Sequence, residues 1–204
     1  PVTAEMSDIN ERIGDATTIL FGAPSMSGGA DGACVDLLTQ DAPGDVSVLW
    51  VSFTRPAGAC LDRWRSAHGT EPSDFGVIAV GETVGGGGGN ADIDPNAVQT
   101  VSNASDLTGI GIKVGEFISG RDERIAVCFD SVTALLQYVD LETAYEFLHA
   151  LTGQLYSVGA VSHFHIDPNA HDQQTIDTLL SLFDAEVRLR EDGGADVRTR
   201  NLVG

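Results

Sequence analysis

The chain has 204 residues, 42% of them apolar, which suits one domain with a real core and excludes wholesale disorder. Thirty acidic residues against eleven basic ones give a net charge of −19, and Lys113 is the single lysine. This balance argues against general nucleic-acid binding, which needs clustered Lys and Arg against phosphate, and against attraction to an anionic membrane.

No stretch of about 18 apolar residues is present, so no membrane span is expected. Pro1–Arg12 has neither a basic n-region nor an apolar h-region, so no secretion signal is expected there. An acid excess nearly free of lysine suits a salt-rich cytosol, where the Debye length falls to about 3 Å at molar salt and self-repulsion is screened. The expected location is therefore cytoplasmic, in a salt-accumulating organism. Cys34, Cys60 and Cys128 form an odd set without paired spacing. They read as buried reduced thiols rather than as a disulfide framework or a zinc motif.

In chain order, Glu5–Arg12 is a short polar helix candidate. Thr17–Phe21 reads as a buried strand, followed by a turn over Gly22–Gly29 and a helix over Ala30–Leu38 with Cys34, Leu37 and Leu38 on one face. Val46–Phe53 is a continuous apolar strand of the kind buried on both faces. Pro56 opens a helix to about Ser66. Phe75–Val80 is a further strand. The glycine run Gly85–Gly89 leads into Asn90–Asn96, and this stretch (85–96) is expected to be the most flexible loop of a single domain covering 1–204. Ser105 caps a helix to Ile118. Arg124–Phe129 is a strand ending at Asp130–Ser131. Leu141–Tyr156 is an amphipathic helix with Ala144, Phe147, Leu148 and Leu151 at helical spacing. Val158–Ile166 is a strand, Asp172–Phe183 a helix, and Glu186–Arg190 with Val197–Leu202 a β-hairpin around Asp192–Gly193–Gly194. Alternating strands and helices predict a three-layer α/β fold with a mostly parallel sheet and ligands at the strands' carboxyl ends.

Five groups of residues carry chemistry. The loop of Gly22, Ser25, Ser27, Gly28, Gly29 and Ala30 follows a strand and opens a helix, the position of a phosphate-binding loop. Neither register of that motif supplies the lysine or the magnesium-binding hydroxyl: Gly28 and Gly29, or Gly29 and Ala30, stand there. A degenerate nucleotide site and a structural relic are both open readings. Ile125–Asp130 has the form of a Walker-B strand, with Asp130 placed for magnesium. Asp92, Asp94 and Asn96 imitate the start of a calcium loop, but Ala97 replaces its glycine.

The segment Arg124–Leu136 (RIAVCFDSVTALL) resembles the Walker-B strand and following helix of the RecA superfamily, in particular its KaiC-like branch. Val51–Phe53 is similar to the second strand of that branch, and Arg198–Asn201 to its basic last strand. The segments FDSVTALLQYVD and HFHIDPNAHD are similar to those of a haloarchaeal RecA/KaiC-like group of unassigned function. The resemblance runs from about Thr17 to the C-terminus. It implies a RecA/KaiC-like P-loop-type fold, with ATP and magnesium as the family's ligands. Where KaiC-like ATPases carry acidic residues after Val-Ser-Phe, this chain has Thr54 and Arg55. With no lysine in the loop, two catalytic parts are missing.

His163, His165 and Asp167 alternate onto one strand face. The pattern resembles a metallo-β-lactamase-type zinc motif, but Pro168 stands where that motif continues with histidine. A polar cluster beside Asp130 and histidines satisfied by nearby backbone are the competing readings. Arg188, Arg190, Arg198 and Arg200 would make a basic stripe if the hairpin register aligned them. By the resemblance, Arg198 and Arg200 would be contacts across a subunit interface; pairing with the abundant carboxylates is the simpler expectation.

The resulting expectation is a catalytically degenerate KaiC-like protein, a regulatory or interaction module with weak nucleotide binding. Its partners would be proteins or further copies of itself, without membrane or nucleic acid. An atypical ATPase using Asp130 for magnesium, and a metal-dependent hydrolase using His163, His165 and Asp167, are the alternatives.

Overall fold

The computed structural model describes residues 9–24, 29–81 and 92–200. Ser25, Ser27 and Gly28 of the candidate loop, the Gly85–Gly89 run, and the start of the N-terminal helix candidate lie outside these residues.

Among the described residues, one sheet of eight strands organises the molecule. Its strands are β1 (Thr18–Gly22), β2 (Val46–Ser52), β3 (Asp74–Val80), β4 (Val98–Val101), β5 (Arg124–Asp130), β6 (Val161–Ile166), β7 (Ala185–Leu189) and β8 (Ala195–Thr199). The order across the sheet is β4-β3-β2-β5-β6-β1-β7-β8. Every pairing is parallel except β7 with β8, the hairpin. Its helices are α1 (9–13), α2 (Ala30–Leu38), α3 (Ala57–His68), α4 (Leu107–Ile118), α5 (Val132–Leu135), α6 (Leu141–Ser157) and α7 (Gln173–Leu180).

The central strands are apolar because helices cover both faces. All seven residues of β2 are buried. One face packs Leu49, Val51, Ile78, Val127, Phe129 and Phe164 against α4, α5, α6 and α7 in a single large core. The other face carries two smaller cores. Ile19, Phe21 and Val187 meet α1 and Leu37, while Val48, Trp50, Val77 and Ala126 meet Cys34, Cys60 and Trp64 of α2 and α3. The result is three layers.

Local chemistry sets the helix ends. Asp140 and Asp172 accept the backbone N–H of Thr143 and Thr175 and start α6 and α7. Both carboxyls are held below the usual range by those amide bonds. Gly69, at φ +66°, takes the left-handed conformation that closes α3 and donates to the Arg65 carbonyl.

Several expected boundaries move. The cap of α4 is Asp106, which accepts from the Gly109 amide, because Ser105 is tied to Asn103 instead. β6 begins at Val161 rather than Val158, since Gly159 at φ +70° turns the chain and leaves Val158 exposed. β4 is a strand that the sequence reading lacks. It is short, and Gln99 and Thr100 are exposed. No helix among the described residues is long and apolar enough to cross a membrane.

Candidate functional site

The carboxyl ends of β1, β2, β5 and β6 surround a cleft of about 400 Å³, lined by Ala30, Asp31, Arg55, Asp130, Thr133 and His165 among others. This is where a parallel α/β sheet places its ligand. A second hollow of about 330 Å³ lies beside β3 and α4. There Arg121 pairs with Asp74 and Lys113 with Glu116, and Asp94 accepts from the Asn96 amide, so the chemistry concentrates in the first.

Asp130 ends β5, and its backbone carbonyl accepts from the Phe53 amide at 2.7 Å. That bond fixes the end of β2 beside it. The Ser52 hydroxyl donates to the Arg55 carbonyl at 2.8 Å and accepts from the Arg55 amide at 2.9 Å, folding the chain back immediately after β2. The turn aims Arg55 into the cleft. Its Nε lies 3.6 Å from Asp130 Oδ2, and its terminal nitrogen lies 3.3 Å from Asp31 Oδ1. Asp31 in turn pairs with the largely buried Arg63 at 2.8 Å. Burial works against the Arg63 charge, but Cys34, Asp31, Cys128 and Asp130 outweigh it and hold its pKa above the ordinary value.

Gly22 ends β1, and Gly29 caps α2 without a side-chain bond. Ala30 begins α2 and lines the cleft. Asp167 lies just past β6. Its carboxylate accepts from the Asn169 amide, and its own amide donates to the Thr133 hydroxyl, which also bonds His171 at 2.9 Å.

Beneath the cleft floor lies a second group of residues. Cys34 of α2, Cys128 of β5, and His163 and His165 of β6 place their donor atoms within 4.8 Å of one another. Cys34 Sγ is 3.7 Å from Cys128 Sγ, 3.1 Å from His163 Nε2 and 3.3 Å from His165 Nε2. The Phe21 ring meets both imidazoles edge-on, at 5.9 and 4.8 Å between centroids. Cys34, Cys128 and His163 are buried; His165 is half-buried and reaches the cleft.

The group is electrostatically polarised. Burial opposes a Cys34 thiolate, yet the hydrogen bond from Cys128 and the neighbouring His163 and His165 bring its pKa well below the ordinary thiol value. Burial and the adjacent Cys34 push Cys128 up. Burial lowers His163, with Cys34 opposing. In His165, Cys34 and Asp130 overcome burial and raise it. Burial, with Asp130 and Cys34 adding to it, pushes Cys60 up, and Cys60 stands outside the group.

Thus the structure brings His163 and His165 together, as alternation on the strand predicts, but their companions are two cysteines rather than Asp167. Spacing rules miss these partners because Cys34 lies 94 residues from Cys128 and 129 from His163. The only sequence signal was that each cysteine sits among apolar residues of a central element.

The arginine stripe does not form. The hairpin register sets Arg188 opposite Asp196 and Arg198 opposite Glu186. Arg188 pairs with Glu186, and Arg190 with Asp192 and Asp196. Arg198 and Arg200 line a shallow hollow with Asp177, Asp184 and Glu186, and Arg200 donates to the Ser181 carbonyl at 2.8 Å. In the calcium-like segment, Asp94 spends its carboxylate on the Asn96 amide.

Residues 16–189 match the model of a family of unknown function, DUF7504, and the chain belongs to that family. No curated protein matches the sequence. Among solved structures, three Pyrococcus horikoshii proteins share the fold. PH0250 superposes with a TM-score of 0.61 at 11% identity, over 97% of this chain and 93% of its own. The KaiC-like protein PH0186 gives 0.57 at 13%, over 91% and 80%. The uncharacterised protein PH0321, solved in complex with an unknown peptide, gives 0.57 at 14%, over 95% and 88%.

Proposed function

We propose that this member of DUF7504, with its RecA/KaiC-like fold, is a regulatory or protein-interaction module that does not hydrolyse nucleotide. The observation that carries the reading is the ion pair between Arg55 and Asp130. Phosphoryl transfer on this fold needs a metal ion at the Walker-B carboxylate and a group that orients the attacking water. Here a guanidinium from the chain itself sits against that carboxylate. It comes from the stretch after β2 where KaiC-like ATPases carry their acidic residues.

The charge of the cleft supports the same reading. Asp31, Asp130 and Asp167 outnumber Arg55 among its lining residues, a poor setting for a triphosphate. What remains for nucleotide is the amino end of α2 and the preceding loop, a site for weak binding at most. The sequence charge of −19 with one lysine supports a salt-rich cytosol as the working environment. The peptide bound to PH0321 supports an interaction role for a chain of this fold.

Calorimetric titration of magnesium-ATP at molar KCl, run beside a phosphate-release assay, tests the proposal. The expected result is weak binding or none, with no phosphate release above the protein-free rate. Magnesium-dependent turnover that disappears in Asp130→Ala would replace this reading with an atypical ATPase.

A further inference from the structure

We infer that Cys34, Cys128, His163 and His165 form a closed site for one transition-metal ion of the zinc class, buried between α2 and the β5–β6 strands. The inference stands on side chains below the cleft and is independent of whether the cleft binds nucleotide.

Geometry carries it. With Zn–S bonds of about 2.3 Å and Zn–N bonds of about 2.0–2.1 Å, a tetrahedral site has edges of about 3.7–3.8 Å between sulfurs and about 3.5–3.6 Å between sulfur and nitrogen. The Cys34–Cys128 sulfur separation is 3.7 Å, and the Cys34 sulfur lies 3.1 and 3.3 Å from the two Nε2 atoms. The widest separation in the set, 4.8 Å, involves Cys128 or the two imidazoles and has to shorten by roughly 1.2–1.5 Å on loading, while the Cys34–imidazole distances lengthen slightly.

Satisfaction of buried polar groups points the same way. Three polar atoms converge on one sulfur, which as a thiol has a single weak proton to offer. A cation at their centre would engage all four donor atoms directly, in place of the weak hydrogen bonds to sulfur that now join them. Both imidazoles present Nε2 inward, and the Phe21 ring edge-on to both restricts their rotation.

The ligand set selects the ion. Two thiolates and two imidazoles suit zinc and exclude magnesium and calcium, which take oxygen ligands. Loading displaces the remaining thiol protons of Cys34 and Cys128 and any second proton on the imidazoles to solvent, leaves each ring neutral with its proton on Nδ1, and moves no electron. The two thiolates balance the dication, so the buried unit is neutral. Four protein ligands leave no open position for water, which makes the centre structural rather than hydrolytic. It would tie α2 to the sheet. The first turn of α2 carries Ala30 and Asp31 on the cleft wall, so occupancy fixes that wall in place. His165, reaching the cleft, marks the entry path.

The test uses the full chain, stripped by chelator under reducing conditions and then dialysed at molar KCl against zinc with millimolar magnesium and calcium present. Elemental analysis should return one zinc per chain. Cobalt substitution should give thiolate-to-cobalt charge transfer and the intense visible bands of a tetrahedral site. Cys34→Ser, Cys128→Ser and His165→Asn should each weaken binding by more than about 100-fold, while Cys60→Ser leaves it intact. The inference is overturned by substoichiometric zinc in the wild-type chain, or by zinc that persists equally in all three variants and so resides on surface carboxylates. A weak octahedral cobalt spectrum overturns it as well, as does loss of two hydrogens to a Cys34–Cys128 disulfide in place of metal uptake. The wild-type cobalt spectrum decides the matter even if a variant fails to fold.

Discussion

Strand β6 shows two different solutions to burial on its two sides. Phe164 and Ile166 enter the large core, where Phe164 lies 5.2 Å from both Phe129 and Phe183 by ring centroids. One residue away on each side of Phe164, His163 and His165 face the opposite layer and meet Cys34 and Cys128. The neighbouring β5 repeats the division, with Val127 and Phe129 on one side and Ala126 and Cys128 on the other. The first face packs apolar side chains, whose contribution does not depend on zinc. The second places polar, ionisable groups in the interior, so its stability depends on what satisfies them.

The largest effect that separates the faces is expected from Phe164→Ala. A buried aromatic truncated to alanine costs about 3–5 kcal/mol. Denaturant unfolding should report that loss equally with and without zinc. A zinc-dependent loss would mean that the two faces are not separable.

The next effect belongs to the thiol–imidazole face. Free zinc at about 100 times its dissociation constant should stabilise the wild-type chain by about 2.7 kcal/mol, and the shift should vanish in Cys128→Ser. Thermal melts at fixed free zinc measure it. Equal stabilisation of wild type and variant would remove the distinction between the faces.

The faces also differed in how far the sequence revealed them. The apolar runs of β1, β2, β3 and β5 announce strands buried on both sides, and α2 starts and ends where its pattern does. The hairpin was legible from its glycine turn. β4 was not, because half of its four residues are exposed and its pairing with β3 supplies what its pattern lacks. On the site, alternation predicted that His163 and His165 share a face. Nothing local could predict Cys34 and Cys128 as their companions, since α2, β5 and β6 meet only through the strand order. The same holds for Arg55: the sequence shows a missing carboxylate, while the ion pair to Asp130 exists only once β2 and β5 lie side by side. Register also decided the arginines, by placing acids across from them.

Smaller effects sharpen the account near the cleft. Arg55 is 40% exposed and Asp130, though largely buried, opens onto the cleft, so Arg55→Ala should cost about 1 kcal/mol of folding stability, the upper end for an exposed ion pair. A larger loss in denaturant melts would make the pair a structural element rather than an occupant of the cleft. The smallest effect is one of pH. Burial lowers the His68 pKa, where its ring packs on Trp64 and bonds Thr39. A depressed imidazole pKa means that the unfolded chain takes up the proton first. Stability from this residue is therefore full above the ordinary imidazole pKa of about 6.5 and declines as pH falls below it. His68→Gln should flatten the fall in melting temperature between about pH 7.5 and 5.5; an unchanged slope would assign the fall to other groups.

The central proposal is that Arg55 sits against Asp130, the carboxylate that by resemblance to KaiC-like ATPases would hold a catalytic metal. Manganous ion, a paramagnetic substitute for magnesium, tests it directly in a titration with ATP at molar KCl. The account predicts no site at Asp130 in the wild-type chain, a new one in Arg55→Ala, and its loss when Asp130→Asn is added. Tight manganous binding by the wild type that requires Asp130 would contradict it.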